Sequence, residues 1–340
     1  MLHVVTHEGV PGDGDVASRW DELVEADPLG TPFHGPAYLR LWTDELGQRS
    51  AVRVHELRDG GTTVGFVPVA LQREGTATGP SEVVRFLGGT DVTDYVGPVC
   101  LPEHRDAVAE AYAARLAQDA DWDEFVATGL VEDSGWPQAW ERACKAAGLQ
   151  HVDTADEDVC PRIDLTGGYA AYLDRLGGKL RQEMKRKARK LARDAGELEL
   201  LQVPVDDHDE ALERFFTMNQ ELPDDKGHFF ARQEMRDWFH RLADGLGPSG
   251  VLRIHELHVG GLPAAACVSL VGHGEWGLYN SAYDVTLGSL APGLVIVQLL
   301  AEQAAEEGYE ALDLLRGDEE YKYRFGPVDR RLVTQTWVRP

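Results

Sequence analysis

One stretch of this chain occurs twice, and that repetition limits the fold more than any other feature. Arg53-Val-His-Glu-Leu-Arg-Asp-Gly-Gly61 aligns without a gap on Arg253-Ile-His-Glu-Leu-His-Val-Gly-Gly261. In each copy an apolar-rich strand meets a Gly-Gly turn and a second strand follows, over 63–71 in one and 262–271 in the other, so both read as β-hairpins. A looser pattern recurs downstream: a helix over 103–118 then a strand over 123–130, and a helix over 294–307 then a strand over 311–315. Two matching orders of elements point to two copies of one α/β unit, each a mixed, mainly antiparallel sheet flanked by helices.

The second copy reads as the more complete, because Trp276-Gly-Leu-Tyr-Asn-Ser-Ala-Tyr283 adds a third strand. Between the halves, residues 154–161 are polar and read as a connector, and helices over 169–195, 209–221 and 232–243 open the second half. The expected division is therefore a first domain over 1–155, without catalytic equipment, and a second over 156–340 carrying the site.

At 340 residues and 43% hydrophobic content, two domains of ordinary size can build real cores. No stretch reaches the roughly 20 apolar residues of a membrane span, and the N-terminus lacks a basic segment followed by an apolar one, so a cytoplasmic protein is expected. The four cysteines are far apart with no metal-binding spacing, and no metal is expected. A net charge of −25 repels phosphate backbones at long range. The run over 179–193 is the local exception. Arg181, Lys185, Arg189 and Arg193 recur every four residues opposite Leu180, Met184, Ala188 and Leu191, which describes a docked helix with a cationic face. That face is either simply solvated or a landing surface for coenzyme A or tRNA.

Two further segments carry chemistry. At Ala291-Pro-Gly293 a helix begins with no acid in its first turn, so its N–H groups and partial positive charge are open to an anion. Pro292, Gly293 and Leu294 are the candidate phosphate contacts, and an ordinary Pro-Gly helix start is the competing reading. The second segment, Asp313-Leu-Leu-Arg-Gly-Asp-Glu-Glu-Tyr-Lys-Tyr-Arg-Phe-Gly326, follows an apolar strand, where ligand groups gather in open α/β sheets. It gathers Arg316, Asp318, Tyr321, Lys322, Tyr323 and Arg324 around two glycines, or is a solvated charged loop. Acyl transfer needs a donor for the developing oxyanion and an acid for the leaving group, roles open to Lys and Tyr. Gly245-Leu-Gly-Pro-Ser-Gly250 matches a dinucleotide fingerprint but follows a helix and precedes a strand, the reverse order.

These residues bring a family into view. The Leu180-Arg-x-x-x-Lys-Arg-Lys-x-Arg-Lys-Leu run, Ala282-Tyr-Asp284, Ala291-Pro-Gly293 and above all Asp313-x-x-Arg-Gly-Asp-x-x-Tyr-Lys-x-x-Phe-Gly326 resemble the CelD-like acetyltransferases of the GNAT superfamily, relatives of the Fem-type aminoacyltransferases. Thr31-Pro-Phe33 with Trp42, Phe66-Val-Pro68 and Asp94-Tyr95 resemble its N-terminal pattern, so the likeness runs over about 20–330. It implies a tandem GNAT fold and acyl transfer to a small-molecule amine. The donor implied is acyl-CoA, with an aminoacyl-tRNA held on helix 179–193 as the alternative and a catalytically idle binding module as the third reading. By resemblance, Lys322 would steady the transferred carbonyl, Tyr321 or Tyr323 would be the acid, and Asp284 or Asp318 the base or amine anchor. Pro292-Gly293 would hold pyrophosphate, with Arg181, Lys185, Arg189 and Arg316 as further anion contacts.

Two departures stand out. The usual Gln/Arg-x-x-Gly-x-Gly/Ala loop is missing, since 285–293 keep glycines without that spacing. Residues 191–215 leave no room for the coiled-coil arm of the peptidoglycan-building relatives. Nothing in the sequence sets the acceptor's identity or an oligomeric state.

Overall fold

The computed structural model describes residues 2–76, 79–89, 91–222 and 226–340. The chain divides into two compact units, Met1–Val159 with Arg330–Pro340, and Cys160–Asp329. Unit 1 runs through β1 (His3–Glu8), α1 (Asp15–Ala26), α2 (Pro36–Glu45), β2 (Ala51–Asp59), β3 (Thr62–Thr76), β4 (Gly79–Phe86), β5 (Val99–Cys100), α3 (Arg105–Leu116), β6 (Glu124–Val131) and α4 (Trp136–Ala146). β7 (Gln150–Asp164) ends in unit 2, which continues with α5 (Gly168–Arg175), α6 (Gly178–Ala195), β8 (Leu198–Gln202), α7 (His208–Gln220), α8 (Lys226–Ala231) and α9 (Gln233–Leu246). Then come β9 (Leu252–Val259), β10 (Leu262–Gly272), β11 (Glu275–Tyr283), α10 (Pro292–Glu306) and β12 (Ala311–Asp313). The last strand, β13 (Val328–Val338), belongs to unit 1 from Arg330 onward.

The unit 1 sheet has the order β1-β2-β3-β4-β6-β13, with only β4 and β6 parallel. Unit 2 repeats it as β8-β9-β10-β11-β12-β7, with only β11 and β12 parallel. The copies agree to the residue. His55 faces Val67 and His255 faces Cys267, and the register then slips so that Val64 and Ala264 are the extra residues of matching β-bulges.

The repeated His-Glu pair is part of this frame. His55 and His255 are buried, and burial, helped by Arg115 in one case and Arg253 in the other, lowers each imidazole to about 4. Glu56 pairs with Arg19 of α1 as Glu256 pairs with Arg214 of α7. In both units a helix is thus tied to the second strand of the sheet through a buried carboxylate.

Burial by itself would raise the Glu56 carboxyl, but hydrogen bonds from Arg58, Thr63 and His7 outweigh it and hold the group at about 2. A depressed folded value stabilises the fold above the unfolded carboxyl range near 4 and loses that contribution as pH falls toward 2. Glu56→Gln should therefore be less stable than wild type at neutral pH, with the gap closing between about pH 4 and 2 in urea titrations. A gap that stays constant to pH 2 would contradict this reading.

Four sequence expectations change here. Residues 154–161, expected as a connector, lie within β7; the strand is largely exposed and polar, so no apolar alternation betrays it. The helix expected over 169–195 is two, broken where Leu176 takes extended backbone before Gly177. Unit 1 also has its third strand, β4, so the first copy is not the shorter one. The expected boundary at 155/156 falls inside β7, and the final strand returns to unit 1, where Leu332–Val338 pairs with β6.

All four cysteines are buried free thiols. Among the described residues no helix is long and apolar enough to cross a membrane, and no group of His, Cys, Asp and Glu could hold a metal ion.

Candidate active site

Where unit 2 opens is set by how β11 and β12 part. β12 pairs with β11 only through Glu275 to Gly277, and the half of β11 beyond Gly277 has no β12 residue beside it. β12 stops because the buried Asp313 carboxylate accepts the N–H of Leu315 at 2.8 Å, and Leu315 turns into left-handed backbone at φ 57°. On its other side β11 bulges: Val268 faces Asn280 and Ser269 faces Leu278, leaving Tyr279 as the extra residue. Tyr279 stacks on Phe239 of α9, and its hydroxyl accepts from the Trp238 indole at 3.1 Å.

The chain beyond β12 is tied back by Lys322. This side chain is 2% exposed, and its ammonium donates to the carbonyls of Leu315, Arg316 and Gly317 at 3.0, 2.6 and 3.0 Å. Glu319 lies 2.9 Å away as counter-charge. Three N–H groups are all an ammonium has, so none is left for an oxyanion. In this structure Lys322 acts as a clamp on the chain beyond β12, its ammonium turned to the carbonyls of residues 315–317.

α10 begins at the mouth of that opening. Ala291 caps it in left-handed backbone at φ 58°, Pro292 supplies no N–H, and the N–H groups of Leu294 and Val295 both turn back to the Ala291 carbonyl. This leaves the Gly293 amide as the outward donor at the positive helix end. A Cβ at Gly293 would lie 3.0 Å from the Tyr283 ring, so glycine is needed for the close approach. The preceding turn is capped by Asp284, whose carboxylate accepts both the N–H and the hydroxyl of Thr286 at 2.8 and 2.6 Å.

Gly293 opens on a groove of about 410 Å³. Tyr321, Ser281 and Tyr283 line it with Leu294, and Lys187 and Arg324 supply the charge. Both cations approach Glu183, at 3.8 Å and 3.6 Å, and Arg324 also reaches Glu320 at 3.4 Å.

Of the residues singled out in the sequence, Tyr321, Gly293 and Leu294 meet in this groove, with Pro292 buried behind them. The others do not line it. Tyr323 turns its hydroxyl to Asp329, Asp318 is exposed, and Arg316 lends its carbonyl to Lys322. Arg181 pairs with Asp174, and Lys185 and Arg189 stand on the exposed face of α6.

Residues 178–323 match the family model described as an acetyltransferase (GNAT) domain. That match falls within unit 2 and covers most of it. No curated protein sequence matches the chain. Among solved structures, FemX is similar at 9% identity with a TM-score of 0.67, covering 94% of this chain and 96% of that one. The C-terminal domain (DUF2156) of a putative lysylphosphatidylglycerol synthetase from Agrobacterium fabrum is similar at 14% identity and 0.55, covering 94% and 90%. A tandem GNAT protein from the clavulanic acid biosynthesis pathway is similar at 16% and 0.51, covering 98% of each chain. These likenesses agree with two GNAT-type folds in one chain.

Sequence reasoning missed Lys187, Ser281 and Tyr283 of unit 2, and named Arg324 only as one cation of the charged segment. Lys187 had a signal: it lies three residues after buried Met184 and four before buried Leu191, a cation on the docked stripe of α6. Spacing of the exposed cations drew the reading to the solvent-facing side of the same helix.

Proposed function

We propose that unit 2 transfers an acyl group from a thioester on a phosphopantetheine arm, acyl-CoA being the simplest such donor, to a primary amine of a small molecule. The observation that carries this is the convergence, in one groove, of the open α10 start, the Lys187 and Arg324 cations and the Tyr321 phenol. A phosphate suits the Gly293 amide and the two cations. The amide-bearing arm suits the edge of β11 beyond Gly277, which β12 leaves open while β10 pairs the other side.

In the reaction the amine nitrogen attacks the thioester carbonyl, a C–N bond forms and the C–S bond breaks. Sulfur leaves with the bonding pair and takes the Tyr321 proton, and the proton released by the amine restores the phenol. The products are one amide and one free thiol.

Two features of unit 1 support assigning the chemistry to unit 2 alone. The stretch after β4 buries Val92, Tyr95 and Val96, and Tyr38 bonds the Val92 carbonyl at 2.6 Å. α3 starts on Arg105, which is held by Asp27 and the Ser134 carbonyl, so the helix end that could meet an anion already carries a fixed side chain.

Calorimetry with acetyl-CoA tests the proposal. Binding should weaken about tenfold or more in Lys187→Ala/Arg324→Ala, the loss of two charge-assisted contacts. Absence of binding by acetyl-CoA and longer acyl-CoAs at millimolar concentration would overturn it.

A further inference from the structure

The groove absorbs only one side of α6. At 3.6 residues per turn, Lys179, Lys185, Arg186, Arg189 and Arg193 fall within an arc of about 120°, opposite Leu180, Met184 and Leu191. All five are exposed. Arg193 pairs with its neighbour Asp194, but among the described residues Lys179, Lys185, Arg186 and Arg189 have no carboxylate partner. In a chain of net charge −25, this is a concentrated patch of unneutralised positive charge.

The patch leads to the groove. Lys190, at the edge of the arc, donates to the Ser289 carbonyl at 3.1 Å, in the turn just before α10, and Lys187, further round, lines the groove itself. The groove cations are already shared with Glu183 and Glu320, so their residual charge matches a single phosphodiester better than the several phosphates of coenzyme A.

We infer that the acyl thioester is delivered by a small acidic carrier protein, which lays an acidic helix on the exposed face of α6 and inserts its phosphopantetheine arm into the groove. This rests on the acyl-transfer reading above and names the donor for the same site. From Lys179 to Arg189 the unpaired cations span about 15 Å, the length of a few helical turns. That footprint fits one short helix. An extended polyanion such as tRNA would carry its phosphates past the patch onto a strongly acidic body.

The test uses the full chain, an isolated acyl carrier protein acetylated on its phosphopantetheine, acetyl-CoA and unacylated tRNA. The variant is Lys185→Glu/Arg186→Glu/Arg189→Glu, whose thermal melt should match wild type because all three side chains are exposed. Carrier binding by fluorescence anisotropy should weaken with salt and fall about tenfold or more in the variant. Its kcat/KM with the acetylated carrier should fall in step, while that with acetyl-CoA changes less than about twofold. No carrier binding, equal losses with both donors, or tRNA binding tighter than carrier binding and lost in the variant would each overturn the inference. Carrier binding that the variant loses, without transfer from either donor, would uphold the docking face and refute the acyl-transfer reading.

Discussion

Lys322→Ala should cost about 3 to 5 kcal/mol of folding stability, the expected loss when one partner of a buried, fully bonded charge is removed. Three carbonyls, of Leu315, Arg316 and Gly317, would lose their donor, and Glu319 its counter-charge. The loop they form borders the open half of β11, so activity should fall together with the unfolding midpoint. Urea denaturation followed alongside kcat at a temperature where the variant stays folded separates the alternatives. A variant as stable as wild type whose kcat has collapsed would restore Lys322 as an oxyanion donor.

Tyr321→Phe should lower kcat by about 100-fold, the usual scale for losing a positioned general acid. Donor binding should change little, since the ring remains in the groove. Tyr323→Phe should keep near-wild-type activity, because that hydroxyl meets Asp329 outside the groove. Steady-state kinetics on the pair is decisive: equal losses, or a larger loss at Tyr323, would remove Tyr321 from the proposed mechanism. Both variants should remain within about 0.5 kcal/mol of wild-type stability, as Tyr321 is only partly buried and Tyr323 exposed.

Much of the fold was legible because it is written twice. The hairpins at residues 53–71 and 253–271 carry alternating apolar residues and a Gly-Gly turn, which are local signals. The helix over 294–307 was legible for the same reason and begins at Pro292 as its Pro-Gly start implied. β7 was not, since a polar exposed strand has no periodic signal and is set by its neighbours. β13 could not be placed either: its apolar residues fit the edge of either sheet, and only pairing with β6 sends it to unit 1.

The sequence by itself determined that an α/β unit is duplicated, that α10 starts without an acid, and that a Tyr-Lys segment follows the last strand of the second copy. Those are properties of spacing and residue type, readable along the chain. Which member of that segment faces the groove was decided only by tertiary structure. Adjacent residues in a tight turn point in different directions, so Tyr321 lines the groove while Lys322 turns inward to three carbonyls. The same holds for α6: its sequence shows a cationic helix, but packing against α10 and the turn at Ser289 selects Lys187 and Lys190 for the groove side and leaves Lys185, Arg186 and Arg189 in solvent.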